Sequence, residues 1–196
     1  SSLLLTGETA SHLSRVLRVR VGSNLWLGDG QGHIRHGLVS QTSKREVSIE
    51  FDGELVYSEP AQPSVVLALA MLQNRDDLEH ALIGAVEAGV DAITLFRATR
   101  SNKSVPDLSG SSGMRLKKIV REASAQARRA WIPALKVEDS LSTLCSLDAD
   151  LFVADPGAKA HNIEGLKSAP TSLAVLVGPE GGFDEDELAL IKASGA

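Results

Sequence analysis

The pattern of apolar and polar positions changes near residue 60. Over residues 24–57, apolar side chains alternate with polar ones, which is the period of a strand with one buried face. Glycine-containing turns at residues 28–32 and 52–53 separate the alternating runs. Residues 1–58 are therefore predicted to form a small antiparallel β-barrel domain. Within it, a short helix around residues 11–19 precedes the alternating strands.

Residues 65–196 have a different pattern. Short runs that are apolar on both faces, at residues 65–72, 92–96, 151–154 and 173–177, alternate with helical stretches. Such runs are typical of a parallel sheet covered by helices, so an α/β domain is predicted. Its first helix should begin after Asn74 and end at Gly89. The polar, proline-bearing residues 58–64 are interpreted as a linker.

Composition narrows the class of protein. The single cysteine, Cys145, has no partner for an intrachain disulfide, and no Cys/His spacing suits a metal, so a cytoplasmic protein without metal is predicted. The longest apolar run has eight residues, whereas a membrane-spanning helix needs about 20. No membrane association is predicted.

Basic residues are concentrated although the net charge is −5. Between residues 115 and 131 a helical repeat separates apolar positions from a cationic face, made of Lys117, Lys118, Arg121, Arg128 and Arg129. A solvated surface would explain this face, but such surfaces usually mix signs, and here Glu122 is the lone acid. RNA phosphate contact is the favoured hypothesis. Arg15, Arg18 and Arg20 form a second basic cluster, for which both readings stay open.

A glycine loop, residues 178–183, joins the last apolar run to a helix predicted to start at Asp184. Glycines allow the backbone to turn sharply and to approach a ligand closely. The loop matches neither the dinucleotide nor the P-loop motif, and the acidic helix start suits a cationic ligand better than a phosphate. From these residues alone, a structural turn and a ligand loop fit equally well.

The sequence Val177-Gly178-Pro179-Glu180-Gly181-Gly182-Phe183 closely resembles the signature of the ribosomal RNA small subunit methyltransferase E family, which belongs to the SPOUT superfamily. Further segments resemble this family in the same order. They are His12-Leu13 with Arg15-Val16-Leu17-Arg18, Gly28-Asp29-Gly30, Glu87-Ala88-Gly89-Val90, Arg100-Ser101, Glu122-Ala123 with Gln126, Arg129 and Pro133, and Asp155-Pro156-Gly157.

The resemblance implies a fold and an activity. The fold is an N-terminal PUA-like, RNA-binding β-barrel followed by a knotted SPOUT α/β methyltransferase domain that forms a homodimer. The activity is methylation of N3 of a uridine in 16S rRNA of the 30S subunit, with S-adenosylmethionine as methyl donor. The donor site would comprise Leu176, Val177, Gly178, Pro179, Glu180, Gly181 and Gly182, with Asp155 and Pro156. RNA contacts would come from Arg15, Arg18, Arg75, Lys117, Lys118, Arg121 and Arg128.

Two residues are candidates for catalysis. Arg129 would stabilise the uridine anion, or else lie at the dimer interface, and Glu180 would act as a base, or else hold the turn. Two other functions stay open: a SPOUT ribose 2′-hydroxyl methyltransferase and an RNA-binding module without catalysis.

The chain departs from the family pattern at two places. Gln73-Asn74-Arg75 replaces a lysine-containing stretch, which moves the expected basic contact to Arg75. The family also continues with an L-G-x-x-I-L-R-x-E-T-A segment that completes the knot and the donor pocket, whereas the sequence here stops at Ala196. We therefore expect a C-terminally truncated domain with an incomplete knot.

Overall fold

The computed structural model describes residues 1–101, 104–154 and 171–195. The chain divides into two compact units, Ser1–Glu59 and Pro60–Ala196, which are described separately. Within the described residues, no helix has the length and apolar character needed to cross a membrane.

The first unit contains an antiparallel sheet of five strands in the order β1-β4-β3-β2, with β5 paired to β3. Its elements are β1 (Ser2–Thr6), α1 (Gly7–Ser11), a π-helical turn (His12–Val16), β2 (Asn24–Gly28), β3 (His33–Thr42), β4 (Glu46–Phe51) and β5 (Val56–Tyr57). The predicted alternation appears in β4, where Val47 and Ile49 are buried between more exposed neighbours. Ala10 and Val39 complete the buried core of this unit.

The helical segment of this unit lies earlier than predicted. The expected helix spanned residues 11–19, whereas the structure has α1 at Gly7–Ser11 and the π-helical turn at His12–Val16. Gly7, with a φ of 66°, lets the chain pass directly from β1 into α1. The strand β1, which no alternation in the sequence had indicated, therefore precedes the helix and pairs with β4.

The second unit contains a five-stranded sheet in the order β8-β7-β6-β10-β9, in which every neighbouring pair is parallel. Its elements are β6 (Ser64–Ala70), α2 (Arg75–Ala88), β7 (Ala92–Phe96), α3 (Ser111–Gln126), β8 (Ala134–Glu138), α4 (Leu141–Cys145), β9 (Asp150–Ala154), β10 (Ser172–Val177) and α5 (Glu185–Ala193). The four apolar runs correspond to β6, β7, β9 and β10. The edge strand β8 was not predicted because Lys136 and Glu138 interrupt its apolar pattern.

The first helix of this unit forms as its sequence predicts. The Asn74 side chain accepts the N–H of Asp76, and Gly89, with a φ of 94°, ends the helix in the left-handed conformation. The helix buries Leu78, Leu82, Ala85 and Val86 in a core shared with β6, β7 and α3.

The loops that matter for the site lie at one edge of the sheet, because the carboxyl ends of all the parallel strands point the same way. The loops follow β6, β7 and β10. Strand β6 lies at the switch point: β7 and β8 extend to one side of it, and β10 and β9 to the other. Ligands of open parallel sheets bind at this edge and at this point.

Candidate functional site

The glycine loop leaves β10 and folds back over the core of the sheet. Gly178 lies against the ring of Phe183, where an added Cβ would be 3.1 Å from the ring, so no larger residue fits without displacement. Phe183 is buried and its ring lies nearly parallel to that of Phe96, at 6.4 Å between centroids. The N–H of Gly182 donates to the carbonyl of Pro179 at 2.8 Å, which closes the turn. The loop is therefore anchored to the core through its aromatic end.

Glu180 joins the glycine loop to the loop after β6. Its Oε1 accepts the backbone N–H of Gln73 at 2.8 Å. This contact is what the turn-holding alternative for Glu180 requires. Its role as a base stays a prediction.

Arg100 joins the glycine loop to the loop after β7. Its Nη1 donates to the carbonyl of Gly181 at 2.8 Å and to that of Phe183 at 3.3 Å. An added Cβ at Gly181 would come within 3.4 Å of the Arg100 side chain, so the two lie in close contact. The arginine therefore holds the second half of the loop.

The start of α5 is tied to the same loop after β7. Asp184 caps the helix at the predicted position and forms a capping box with Glu187, and Glu187 also accepts the N–H of Thr99 at 2.7 Å. The backbone N–H of Glu187 lowers the pKa of Asp184, so this cap stays charged at neutral pH. Three separate contacts thus position the glycine loop and the helix that follows it.

The cationic face is only partly helical, because α3 ends at Gln126 rather than continuing to residue 131. Lys117, Lys118 and Arg121 lie exposed on the helix, and Lys118 is 4.0 Å from Glu122. Within the described part of the chain, Lys117, Arg121 and Arg128 form no side-chain hydrogen bond or ion pair. Three cations are therefore available to an external partner.

Arg128 has an unusual backbone. The N–H of Arg128 donates to the carbonyl of Ala125 and that of Arg129 to Ser124, which is the bond pattern that ends a helix in a left-handed residue. Arg128 occupies that left-handed position with a φ of 54°, where glycine is normally preferred. Arg18, which follows the π-helical turn, has a φ of 51°. Among the described residues, these two arginines are the only non-glycine residues with positive φ.

Arg129 is turned away from the rest of the cationic face. Its Nη1 donates to the carbonyls of Val86 at 3.1 Å and Val90 at 2.6 Å, and its Nη2 lies 3.5 Å from Asp91. Only 15% of its side chain is exposed. The guanidinium therefore holds the end of α2, an arrangement that the helical repeat could not show because the helix stops before this residue.

Models of two protein families and several known proteins match this chain over most of its length. Residues 59–196 match the model of the RNA methyltransferase domain, and residues 5–52 match that of the RNA methyltransferase PUA domain. The ribosomal RNA small subunit methyltransferase E of Mycobacterium tuberculosis is 30% identical over 203 residues, which cover 98% of this chain and 76% of that protein. The protein of the same name from Bacillus subtilis is 26% identical, over 94% of this chain and 76% of its own length.

This chain belongs to the ribosomal RNA small subunit methyltransferase E family. Solved structures share its fold. The methyltransferase E of Neisseria gonorrhoeae, bound to S-adenosylmethionine, superposes with a TM-score of 0.83 at 23% identity and covers all of this chain and 81% of its own. A Legionella pneumophila protein in complex with the same cofactor has the same score, identity and coverage.

The predicted site residues fall into three groups. Residues 176–182 are contiguous at the end of β10, and Arg75 begins α2, two residues after Gln73. Asp155 and Pro156 lie outside the described residues. Arg15 and Arg18 belong to the first unit.

Sequence reasoning assigned no role to Gln73, Thr99 or Arg100. Arg100 stood in a motif that resembles the family, but contacts to backbone carbonyls follow no residue spacing. Only the fold brings these partners together. Within the described residues, no group of three His, Cys, Asp or Glu side chains could hold a metal ion.

Proposed function

We propose that this protein transfers the methyl group of S-adenosylmethionine to N3 of a uridine in 16S rRNA, as a homodimer acting on the small ribosomal subunit in the cytoplasm. The observation that carries this proposal is the glycine loop at the carboxyl end of β10, tied to the loops after β6 and β7. A methyltransferase must hold its donor in a fixed orientation, since positioning can contribute several kcal/mol to the rate. A loop anchored on two sides satisfies this need.

The glycine loop fits the donor in space and in charge. An added Cβ at Gly182 would meet no atom within 4 Å, so the backbone there is open to a ligand on the side formed by the described residues. Glu180 and the acidic first turn of α5 suit a positively charged centre. S-adenosylmethionine, when bound, supplies a methyl group already activated by its sulfonium.

The two candidates for catalysis receive positioning roles in this proposal. The carboxylate of Glu180 is engaged by the backbone N–H of Gln73, and the guanidinium of Arg129 by the end of α2. We propose that Glu180 fixes the donor loop and that Arg129 fixes the helix beside it.

The exposed cations are proposed to bind RNA phosphates. Lys117, Lys118 and Arg121 project from one helix, and Arg15 belongs to the basic cluster of the first unit. A second argument comes from Arg18 and Arg128, whose left-handed backbones cost free energy that glycine would avoid. A requirement for a positive charge at these positions explains why glycine is absent.

The test is methyl transfer with a labelled donor. The chain is incubated with S-adenosylmethionine carrying an isotopic methyl group and with small ribosomal subunits or free 16S rRNA. The RNA is then digested and the nucleosides are separated by chromatography and mass spectrometry. Labelled N3-methyluridine is expected. A labelled ribose would instead identify a 2′-hydroxyl enzyme, and RNA binding without calorimetric binding of the donor would identify a non-catalytic module.

A further inference from the structure

A cavity of about 700 Å³ lies between the end of β6, the start of α2 and the start of α3. This volume is in the range of small-ligand sites, roughly 300–1,000 Å³. The cavity does not include the glycine loop itself. We infer that this cavity receives the nucleotide whose base is methylated, an inference that rests on the proposed function for the identity of that base.

One wall of the cavity is apolar and made largely of buried core residues. It contains Met71 and Leu72 from the end of β6, Leu78 from α2 and Leu116 from α3. Met71, Leu78 and Leu116 are each 5% exposed and belong to the main core of the unit. Such a wall suits the flat face of a base, because enzymes that modify a base extrude it from the RNA stack into an apolar pocket.

The rim of the cavity is cationic and held in place by one carboxylate. Glu79 accepts hydrogen bonds from Arg115 Nε at 2.6 Å and Nη2 at 2.9 Å, and from Arg75 Nε at 3.0 Å. Within the described residues, both terminal nitrogens of Arg75 and the Nη1 of Arg115 have no other partner. Two guanidiniums are thus fixed with donors to spare, an arrangement that suits a phosphate.

The start of α3 adds to this rim. Gly110 precedes the helix without a side-chain cap, and the first turn contains no acidic residue. Helix N-termini of this kind favour anions. Asp107 also lines the cavity, but its Oδ1 accepts the N–H and the hydroxyl of Ser109 at 2.8 and 2.7 Å, so this carboxylate is engaged in the local turn.

The position of the cavity links it to methyl transfer. Leu72 lines the cavity, and the next residue, Gln73, donates its N–H to Glu180 of the glycine loop. The short segment after β6 therefore contacts both the cavity and the glycine loop. A base in the cavity would therefore contact the same segment that holds the loop proposed to bind the methyl donor.

The two methionines of the chain provide the test. Met71 lines the cavity, whereas Met114 is 58% exposed on α3 and is not part of the lining. The chain is labelled with ¹³C at the methionine methyl groups and titrated with uridine 5′-monophosphate at millimolar concentration. The Met71 signal should shift and saturate while that of Met114 stays in place. Omitting the phosphate, or the substitution Arg75→Ala, should weaken this response about tenfold.

The inference is overturned if the nucleotide leaves Met71 unmoved, if both methyl groups respond equally, or if inorganic phosphate alone produces the same shift. These outcomes do not depend on the methyl donor. Conversely, a Met71 response in a chain that fails to bind S-adenosylmethionine would contradict the proposed function and support the cavity.

A pair of matched variants extends the test to activity. Ser112, in the first turn of α3, lines the cavity, and Ser142, in the first turn of α4, does not. Ser112→Trp should fill the cavity, abolish the Met71 response and slow methyl transfer more than tenfold with donor binding unchanged. Ser142→Trp should transfer methyl groups like the unmodified chain. Equal transfer rates for the two variants would overturn the inference.

Discussion

The carboxylate of Glu180 accepts the backbone N–H of Gln73 at 2.8 Å, across 107 positions of sequence. This bond joins the loop after β10 to the loop after the central strand β6. Glu180, the candidate base in the glycine loop, therefore helps to hold the loop in shape. Its chemical contribution can be separated from its structural one by substitution.

Glu180→Gln should retain donor binding, because the amide oxygen can still accept the Gln73 N–H. Glu180→Ala removes the acceptor and should weaken the binding of S-adenosylmethionine about tenfold, the effect of about 1.4 kcal/mol. Isothermal calorimetry and the transfer rate measure both. A Glu180→Gln enzyme that binds the donor normally but transfers methyl groups a hundredfold more slowly would restore Glu180 as a base.

Arg100→Ala should also weaken donor binding about tenfold, because it removes the hydrogen bonds to the carbonyls of Gly181 and Phe183. Arg97 is the matched control, since it lies exposed in the same loop and makes no side-chain hydrogen bond within the described residues. Calorimetric titration of the two variants gives the comparison. Equal affinities would show that the loop holds its shape without Arg100.

Arg18→Gly and Arg128→Gly should each stabilise the fold and weaken RNA binding. Glycine relieves the left-handed strain, by about 1 kcal/mol per position at most. Loss of one phosphate contact should reduce the slope of log K against log salt by roughly 0.7 to 0.9. Urea unfolding and filter binding at several salt concentrations measure the two effects. Arg128→Lys is the control, because it keeps both the positive charge and the strained backbone. Unchanged RNA binding in the glycine variants would contradict the proposed phosphate contacts.

Arg129→Ala should act on stability rather than on chemistry. It leaves the carbonyls of Val86 and Val90 without their donor and Asp91 without its cation, which should cost about 2–4 kcal/mol. Urea unfolding should show this loss, while the transfer rate per folded molecule stays near that of the unmodified chain. A stable variant with a strongly reduced rate would instead support stabilisation of the uridine anion.

The Glu79 cluster should make stability depend on pH. Hydrogen bonds from Arg115, and then those from Arg75, lower the pKa of Glu79 from its usual 4.5 to about 2. A carboxyl whose pKa falls on folding stabilises the folded state above its unfolded pKa, and this contribution is lost as pH falls from 4.5 towards 2. Glu79→Gln should therefore flatten the unfolding free energy over this window. Glu122→Gln, which removes a carboxylate 4.0 Å from its cation, should leave the profile unchanged.

Short-range patterns determined much of this protein. Apolar runs identified four of the five parallel strands, and local capping residues set the start and end of α2 and the start of α5, because these features depend on neighbouring residues alone. The resemblance carried by the glycine loop and the ordered motifs was confirmed by the family models and relatives. The end of α3 was predicted wrongly, since the helical repeat continued through residues that the backbone leaves in a left-handed turn.

Tertiary structure decided which side chains share a place. Gln73, Arg100 and Glu180 are distant in sequence and meet only because parallel strands bring their carboxyl ends to one edge of the sheet. The cavity between α2 and α3 likewise exists only once both helices pack on the same face of β6 and β7. Hydrogen bonds to backbone atoms and spaces between helices depend on three-dimensional packing, which no spacing of residue types encodes.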